Sequence, residues 1–215
     1  MTNAPLEQVV RLLETSCDAP PAAVDAIQHH GLMSLLTGTP VTLADISDES
    51  GVCIDEIRAG VAGLQAAGRI EVEGSRVIGV GGLTISPTIH TLALPLATIH
   101  TWCGLDAVGI PAALALDADV STSCPHCANP IQIKLTQGAP EPDEAIRLFC
   151  PTAPCSDVRT DFCAAANLFC NRDHLNHWAN SNPTEGTELD LHETAELGRA
   201  MWGRHRPPST ESQSR

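Results

Sequence analysis

Near Gly68 the spacing of apolar residues changes, and that change limits the folds open to this chain. Ahead of it the apolar positions recur at helical intervals. Leu6, Val9, Val10 and Leu13 stand at i, i+3, i+4 and i+7, the stripe of an amphipathic helix. The stretch from Cys17 to Pro21 breaks that helix. Residues 22–36 read as a second, and Pro40 to Ile46 as a short third with Thr42 as its cap. Ile54, Ile57, Val61 and Leu64 mark a fourth, which Gly68 ends. Beyond it, Ile70-Glu-Val-Glu and Arg76-Val-Ile flank Gly74-Ser75, the signature of a β-hairpin.

Helices followed by a hairpin are the order of a winged-helix domain, so residues 1–80 are expected to form a winged-helix-like unit. Gly79 to Gly82 reads as the joint to a second domain, residues 81–205. There Thr88 to Ile99 suits a strand pair or a buried strand, and a helix is expected from about Gly104, despite Gly109 and Pro111. Val120–Ser123, Ile131–Leu135 and Ile146–Phe149 read as short strands; Asp161 to Asn171 is open between strand and helix. Short helices are expected at 174–179 and 193–205, and a disordered tail at 206–215. The expected class is α+β: the helical N-terminal unit with its hairpin, then a mainly antiparallel mixed sheet flanked by helices.

Charge narrows the function. The chain of 215 residues carries 26 acidic and 12 basic side chains, a net −14 with His neutral, a field that repels phosphate backbones and anionic lipid. Residues 1–80 hold four Arg, no Lys and eleven Asp or Glu, leaving −7, and the helix in the recognition position opens on Asp55 and Glu56. Nucleic-acid binding needs Lys and Arg for phosphate, so no nucleic-acid partner is expected, and the first domain reads as a lid or structural module. Aromatics are 3% with no Tyr, against a base-stacking platform. No membrane span and no secretory signal are visible, and the expected compartment is the cytoplasm. In that reducing setting the nine Cys read as thiols or metal ligands rather than disulfides.

Three cysteine groups stand out. Cys103 lies at the expected start of a helix, where backbone N–H groups and the helix dipole favour thiolate and lower the thiol pKa. Asp106, three residues on, can share its face and exchange a proton with it; against this stands a buried Cys beside an ordinary N-terminal acid. Cys163 and Cys170 could equally be core residues, and for Cys170 the core role is preferred. Cys124-Pro-His-Cys127, followed by Cys150 and Cys155, has the pattern of a structural zinc site, the alternatives being spare thiols near an active site or core cysteines. His126 is expected to face solvent, and His174 with His177 reads as an exposed helix face. No Gly-rich phosphate loop and no Gly-x-Ser-x-Gly elbow occur.

Trp102-Cys103-Gly104-Leu105-Asp106, followed by an apolar helix containing Pro111, resembles the organomercurial (alkylmercury) lyases. Val120-Ser-Thr-Ser-Cys124 is similar to a family segment in which a strand carries a further, mainly structural Cys. Val158-Arg-Thr-Asp-Phe-Cys163 is similar to the segment bearing the second active-site Cys. The resemblance extends over roughly residues 1–205, with its specific motifs between 99 and 170. It implies a catalytic set of Cys103, Asp106 and Cys163, with mercury held by Cys103 and Cys163 and Asp106 nearby. Two departures are plain: Ala164 stands where some members have a second Cys, and the family does not generally carry Cys127, Cys150 and Cys155.

What the resemblance implies is protonolysis of a carbon–mercury bond in alkyl- and arylmercurials, giving a hydrocarbon and Hg(II). Mercury is soft and prefers thiolate. Two thiolates weaken the bond to carbon, and Asp106 relays the proton. No cofactor is required; Hg(II) is the bound product, passed on to small cytosolic thiols or to a mercuric reductase. Two other readings remain: a non-enzymatic binder of zinc, copper or mercury, and a lyase-fold relative acting on another organometal. The first has no use for a carboxylate beside its thiol; the extra cysteines sustain the second.

Overall fold

The structure, a computed structural model, describes Val9, Val10 and residues 19–206. Of the first expected helix only Val9 and Val10 are described; both are helical, and Val9 is buried. The expected tail lies outside the described residues except for Arg206. Helix α1 (Pro21–Leu35) begins with Pro at its first position, where the missing N–H has no intrahelical partner to lose. A short strand β1 (Val41–Thr42) precedes α2 (Leu43–Ser50). The sequence places the start of this helix at Pro40; Val41 and Thr42 instead pair with Val77 and Arg76. Thr42 is the cap: its hydroxyl accepts the Asp45 N–H at 3.1 Å while the Asp45 carboxylate accepts the Thr42 N–H at 3.3 Å. Helix α3 (Ile54–Ala66) follows, and Gly68 leaves it at φ +65°.

Strands β2 (Ile70–Glu73) and β3 (Arg76–Val80) form the hairpin around Gly74-Ser75. The other edge of β3 takes β1 and then β4 (Leu83–Thr84). Pairing continues through β6 (Thr98–Thr101), β5 (His90–Ala93), β7 (Ala118–Ser123), β8 (Pro130–Thr136) and β9 (Ala139–Pro140), all antiparallel. One nine-stranded sheet therefore runs unbroken across the Gly79–Gly82 joint. Strand β8 alternates exposed and buried along its length, as a strand with one face on the core must. A second sheet has the order β11 (Leu168–Phe169), β10 (Arg147–Pro151), β12 (Gly186–Leu189). The segment left open between strand and helix contains both: one π-helical turn at Val158–Cys163, then β11.

Helix α4 (Gly104–Leu114) is apolar on every side, and every residue in it is buried. Helix α5 (Arg172–Ser181) lies at the surface, and α6 (Leu191–Trp202) packs along α4 before a 3₁₀ turn at Gly203–His205. The two helices touch backbone to backbone. A Cβ on Gly198 would overlap the Gly109 backbone, and one on Gly109 would lie 2.7 Å from the Trp202 ring. Trp202 then donates its indole N–H to the Gly81 carbonyl at 2.8 Å, tying α6 to the joint. No described helix is long and apolar enough to cross a membrane.

The α4–α6 contact gives a stability test. Gly198→Ala should destabilise the protein by about 1–3 kcal/mol, because the backbones must separate. Gly203→Ala, where an added methyl meets nothing within 4 Å, should be close to neutral. Chemical denaturation of the two variants checks this; equal stabilities would mean that the helices are not held at this distance.

Candidate active site

Cys103 is the N-cap of α4, in extended conformation at φ −152° and ψ 175°. It forms a capping box with a thiol in the usual place of a hydroxyl. The Cys103 sulfur accepts the Asp106 N–H, and the Asp106 carboxylate accepts the Cys103 N–H at 3.1 Å. Thr101 donates its hydroxyl to the Cys103 carbonyl at 3.1 Å, and Gly104 N–H bonds the Ala166 carbonyl at 2.8 Å. The last bond brings in the loop after Cys163. Cys163 ends the π-helical turn, which Asp157 caps by accepting the N–H groups of Arg159 and Thr160 at 2.9 and 3.0 Å. Cys103, Asp106 and Cys163 are all buried, and one ligand atom from each lies within 4.8 Å of the others.

Burial governs the charges. It pushes the Cys103 thiol well above its usual value; the hydrogen bond with the Cys163 thiol adds to this, and the Asp106 N–H only partly opposes it. The lowering that the helix N-terminus leads one to expect is there, through the Asp106 N–H, but burial outweighs it. Burial, with Cys103 beside it, also raises the Asp106 carboxyl well above its ordinary 3.8. At Cys163 the hydrogen bond from Cys103 pulls the thiol down, but burial and Asp106 leave it raised. Burial thus favours the protonated form of all three groups.

Three further residues, which no sequence pattern singles out, hold the site in place. The Glu71 carboxylate accepts the Trp102 indole N–H at 3.0 Å and the Thr84 hydroxyl at 2.8 Å, and pairs with Arg159 at 2.9 Å. Arg159 also lies over the Trp102 ring, 5.6 Å from its centroid. Gly82 presses on Asp106: at φ +98°, an added Cβ would lie 2.6 Å from the carboxyl carbon. Side chains rarely adopt that φ, and none fits there.

A cavity of about 470 Å³ opens onto Asp106 and Cys163. Its walls include Val24 and Leu32 of α1, Trp102, Phe162, and Trp202 of α6. His205 stands in the same wall, held neutral as burial and Arg204 bring it down to about 4. Helix α1 thus lines the same cavity as Asp106 and Cys163.

The other cysteines divide differently from the sequence pattern. Cys124 and Cys127 do not meet Cys150 and Cys155. They meet Cys170 and His174, with one ligand atom from each of the four within 4.8 Å of the rest. Cys150 is fully buried near Cys103, and Cys155 stands near Arg69 and Asp161. Cys170 is half-buried rather than a core residue, and His174 turns inward, while His126 and His177 are exposed. The one trace in the sequence is the interval of four between Cys170 and His174, which puts both on one side of the start of α5.

A buried dithiol with its own carboxyl group defines a soft-metal site that carries a proton. The family model for alkylmercury lyase (MerB) matches residues 83–203, more than half of the chain and the whole of this site. The chain belongs to the alkylmercury lyase family. It is 28% identical over 178 residues to the alkylmercury lyase of Bacillus cereus, covering 81% of this chain and 79% of that protein. It is 29% identical over 183 residues to that of Staphylococcus epidermidis (strain ATCC 12228 / FDA PCI 1200), covering 81% and 80%. The crystal structure of the mercury-bound form of MerB2 shares the fold, with a TM-score of 0.82 at 20% identity over 94% of this chain and 99% of that one.

Burial of Asp106 has a thermodynamic consequence. A raised folded-state pKa means that, above about pH 4, the native protein keeps a proton that the unfolded chain gives up. Stability therefore falls as pH rises through that window, at up to about 1.4 kcal/mol per pH unit. Asp106→Asn lacks this dependence. Urea unfolding at pH 4 to 7 should show the wild type losing ground to Asp106→Asn as pH rises, and a constant difference would contradict the buried, protonated carboxyl.

Proposed function

We infer that this protein cleaves carbon–mercury bonds by protonolysis, with Cys103 and Cys163 holding mercury and Asp106 delivering the proton. The observation that carries this reading is the buried convergence of those three residues inside the segment that matches the family. A mercurial arriving as a thiol adduct, R–Hg–SR′, exchanges its thiolate for one protein thiol; that thiol's proton leaves with R′SH. The second thiol then bonds mercury, and its proton reloads Asp106 once that neutral carboxyl has given up its own. With two thiolates on mercury, the carbon atom gathers electron density. Asp106 protonates it as the carbon–mercury bond breaks, releasing R–H. The products are the hydrocarbon and Hg(II) bridging Cys103 and Cys163, and no proton is left unassigned.

The geometry suits this sequence of steps. A carboxyl that favours its neutral form in a dry site is a competent acid. Holding it beside the reacting carbon makes the proton transfer intramolecular, worth roughly 7–11 kcal/mol in well-oriented systems. Apolar cavity walls suit an alkyl or aryl group. We read the bound Hg(II) as leaving by exchange with small thiols or a mercuric reductase, and the reaction as needing no cofactor.

The winged-helix-like part, residues 1–80, is read as a cover that excludes water and not as a nucleic-acid reader. Its net charge of −7 and the α1 side chains in the cavity wall support this. The boundary near residue 80 is then a division of labour, since the sheet is shared. A binder without catalysis is disfavoured because a neutral carboxyl beside the thiols adds nothing to their hold on a soft metal.

The test is incubation with phenylmercury or methylmercury and excess thiol, following benzene or methane in the headspace. The wild type should release hydrocarbon with turnover. Cys103→Ser and Cys163→Ser should each abolish release, because a single thiolate activates the bond weakly. Asp106→Asn should still capture the mercurial but turn over about 10²–10⁴-fold more slowly. Near wild-type turnover by Asp106→Asn would remove the proton relay, and tight mercurial binding by the wild type with no hydrocarbon would favour the binder.

A further inference from the structure

Away from the catalytic set, Cys124, Cys127, Cys170 and His174 converge with no part in protonolysis. Cys124 and Cys127 sit in a tight turn after β7. Ala128 N–H bonds the Cys124 carbonyl at 2.8 Å and Cys124 N–H bonds the Asn129 carbonyl at 2.9 Å. Ala128 takes φ +58°, a conformation that a residue with a Cβ adopts at a cost. At the tip of the turn His126 and Ala128 are exposed, while Cys124 is buried.

The distances have a meaning of their own. Cys127 Sγ lies 3.7 Å from Cys170 Sγ, and Cys124 Sγ lies 3.8 Å from His174 Nδ1. Ligands about 2.3 Å (S) and 2.0–2.1 Å (N) from a tetrahedral ion stand about 3.5–3.8 Å apart. Cys170 Sγ and His174 Nδ1, at 2.9 Å, need open only slightly to match. His174 is fixed for the role: its backbone N–H is capped by the Asn171 side chain at 2.8 Å, and its ring packs on His126 at 4.7 Å between centroids.

We propose that Cys124, Cys127, Cys170 and His174 form a tetrahedral structural zinc site that staples the β7–β8 turn to the junction of β11 and α5. Three thiolates and one imidazole make a closed set with no position left for water or substrate, which distinguishes it from a catalytic site. Its place gives it a purpose. Cys170 follows directly on the β11 strand, and the loop into that strand supplies the Ala166 carbonyl that holds Gly104 at the catalytic N-cap. A metal here anchors the far end of the segment that carries Cys163. Zinc binding takes up the ion and releases the protons of the three thiols. The assignment does not depend on the lyase reading.

The experiment is metal analysis of the full chain, purified under reducing conditions without chelator. About one zinc per chain is expected. Replacement by Co(II) should give intense thiolate-to-cobalt charge transfer and the visible bands of a tetrahedral S₃N site. Cys127→Ser and His174→Gln should lose the stoichiometric metal; Cys103→Ser, Cys163→Ser, Cys150→Ser and Cys155→Ser should keep it. Should a ligand variant fail to fold, mapping of alkylated thiols in the wild type decides: Cys124, Cys127 and Cys170 should react only after chelation. Protein that takes up no stoichiometric zinc, or binds Hg(II) there but not zinc, overturns the proposal. So does full retention of zinc by Cys127→Ser and His174→Gln, or its loss in Cys103→Ser and Cys163→Ser.

Discussion

The reciprocal bond between Cys103 and Asp106 at the start of a fully buried helix is the constraint on which the site depends. An N-cap normally satisfies a helix end at the surface. Here it lies inside the protein, because α4 is covered by the sheet and by α6. The helix must be apolar on all sides to lie there, and its cap must then be dry. A dry cap raises both the thiol and the carboxyl and keeps them neutral. A helix terminus that in water would favour thiolate here favours the neutral thiol and carboxyl.

Two sets of contacts hold the site in place. Gly82 lies against the Asp106 carboxyl, and Glu71 ties Trp102 and Arg159 to the strand that precedes the joint. Through Arg159 the same carboxylate reaches the π-helical turn that ends in Cys163. The N-terminal part is also tied to the segment that ends in Cys163: Val158 N–H bonds the Ala67 carbonyl at 3.0 Å. Its acidic surface needs no nucleic acid to explain it, since its apolar residues line a cavity and share a sheet.

The described cysteines fall into groups by environment. Cys103 and Cys163 lie with Asp106, and Cys150 is buried close by. Cys124, Cys127 and Cys170 lie with His174 across the β7–β8 turn and the start of α5. The Cys-x-x-Cys spacing marks one half of a ligand set. The other half depends on which distant segment the sheet brings alongside, and here that is the β11–α5 junction, 43 residues from Cys127 to Cys170.

Local features were legible in the chain because their causes are local. Thr42, Gly68, the Gly74-Ser75 turn and the all-apolar run after Cys103 are read from side-chain chemistry and period, and each element forms close to where that chemistry puts it. Cys103 and Asp106 were legible for the same reason: three residues separate them, and a helix start puts them face to face. Cys163 came from resemblance, since nothing in its own neighbourhood marks it as a ligand. Tertiary structure decided the rest. It decided that Cys103 is dry, reversing the pKa direction that a helix terminus alone would give. It joined the hairpin of the first part to the sheet of the second. It also put Cys170 and His174, not Cys150 and Cys155, beside Cys124 and Cys127. Burial and the pairing of remote segments are properties of the whole packed chain, and no window of sequence contains them.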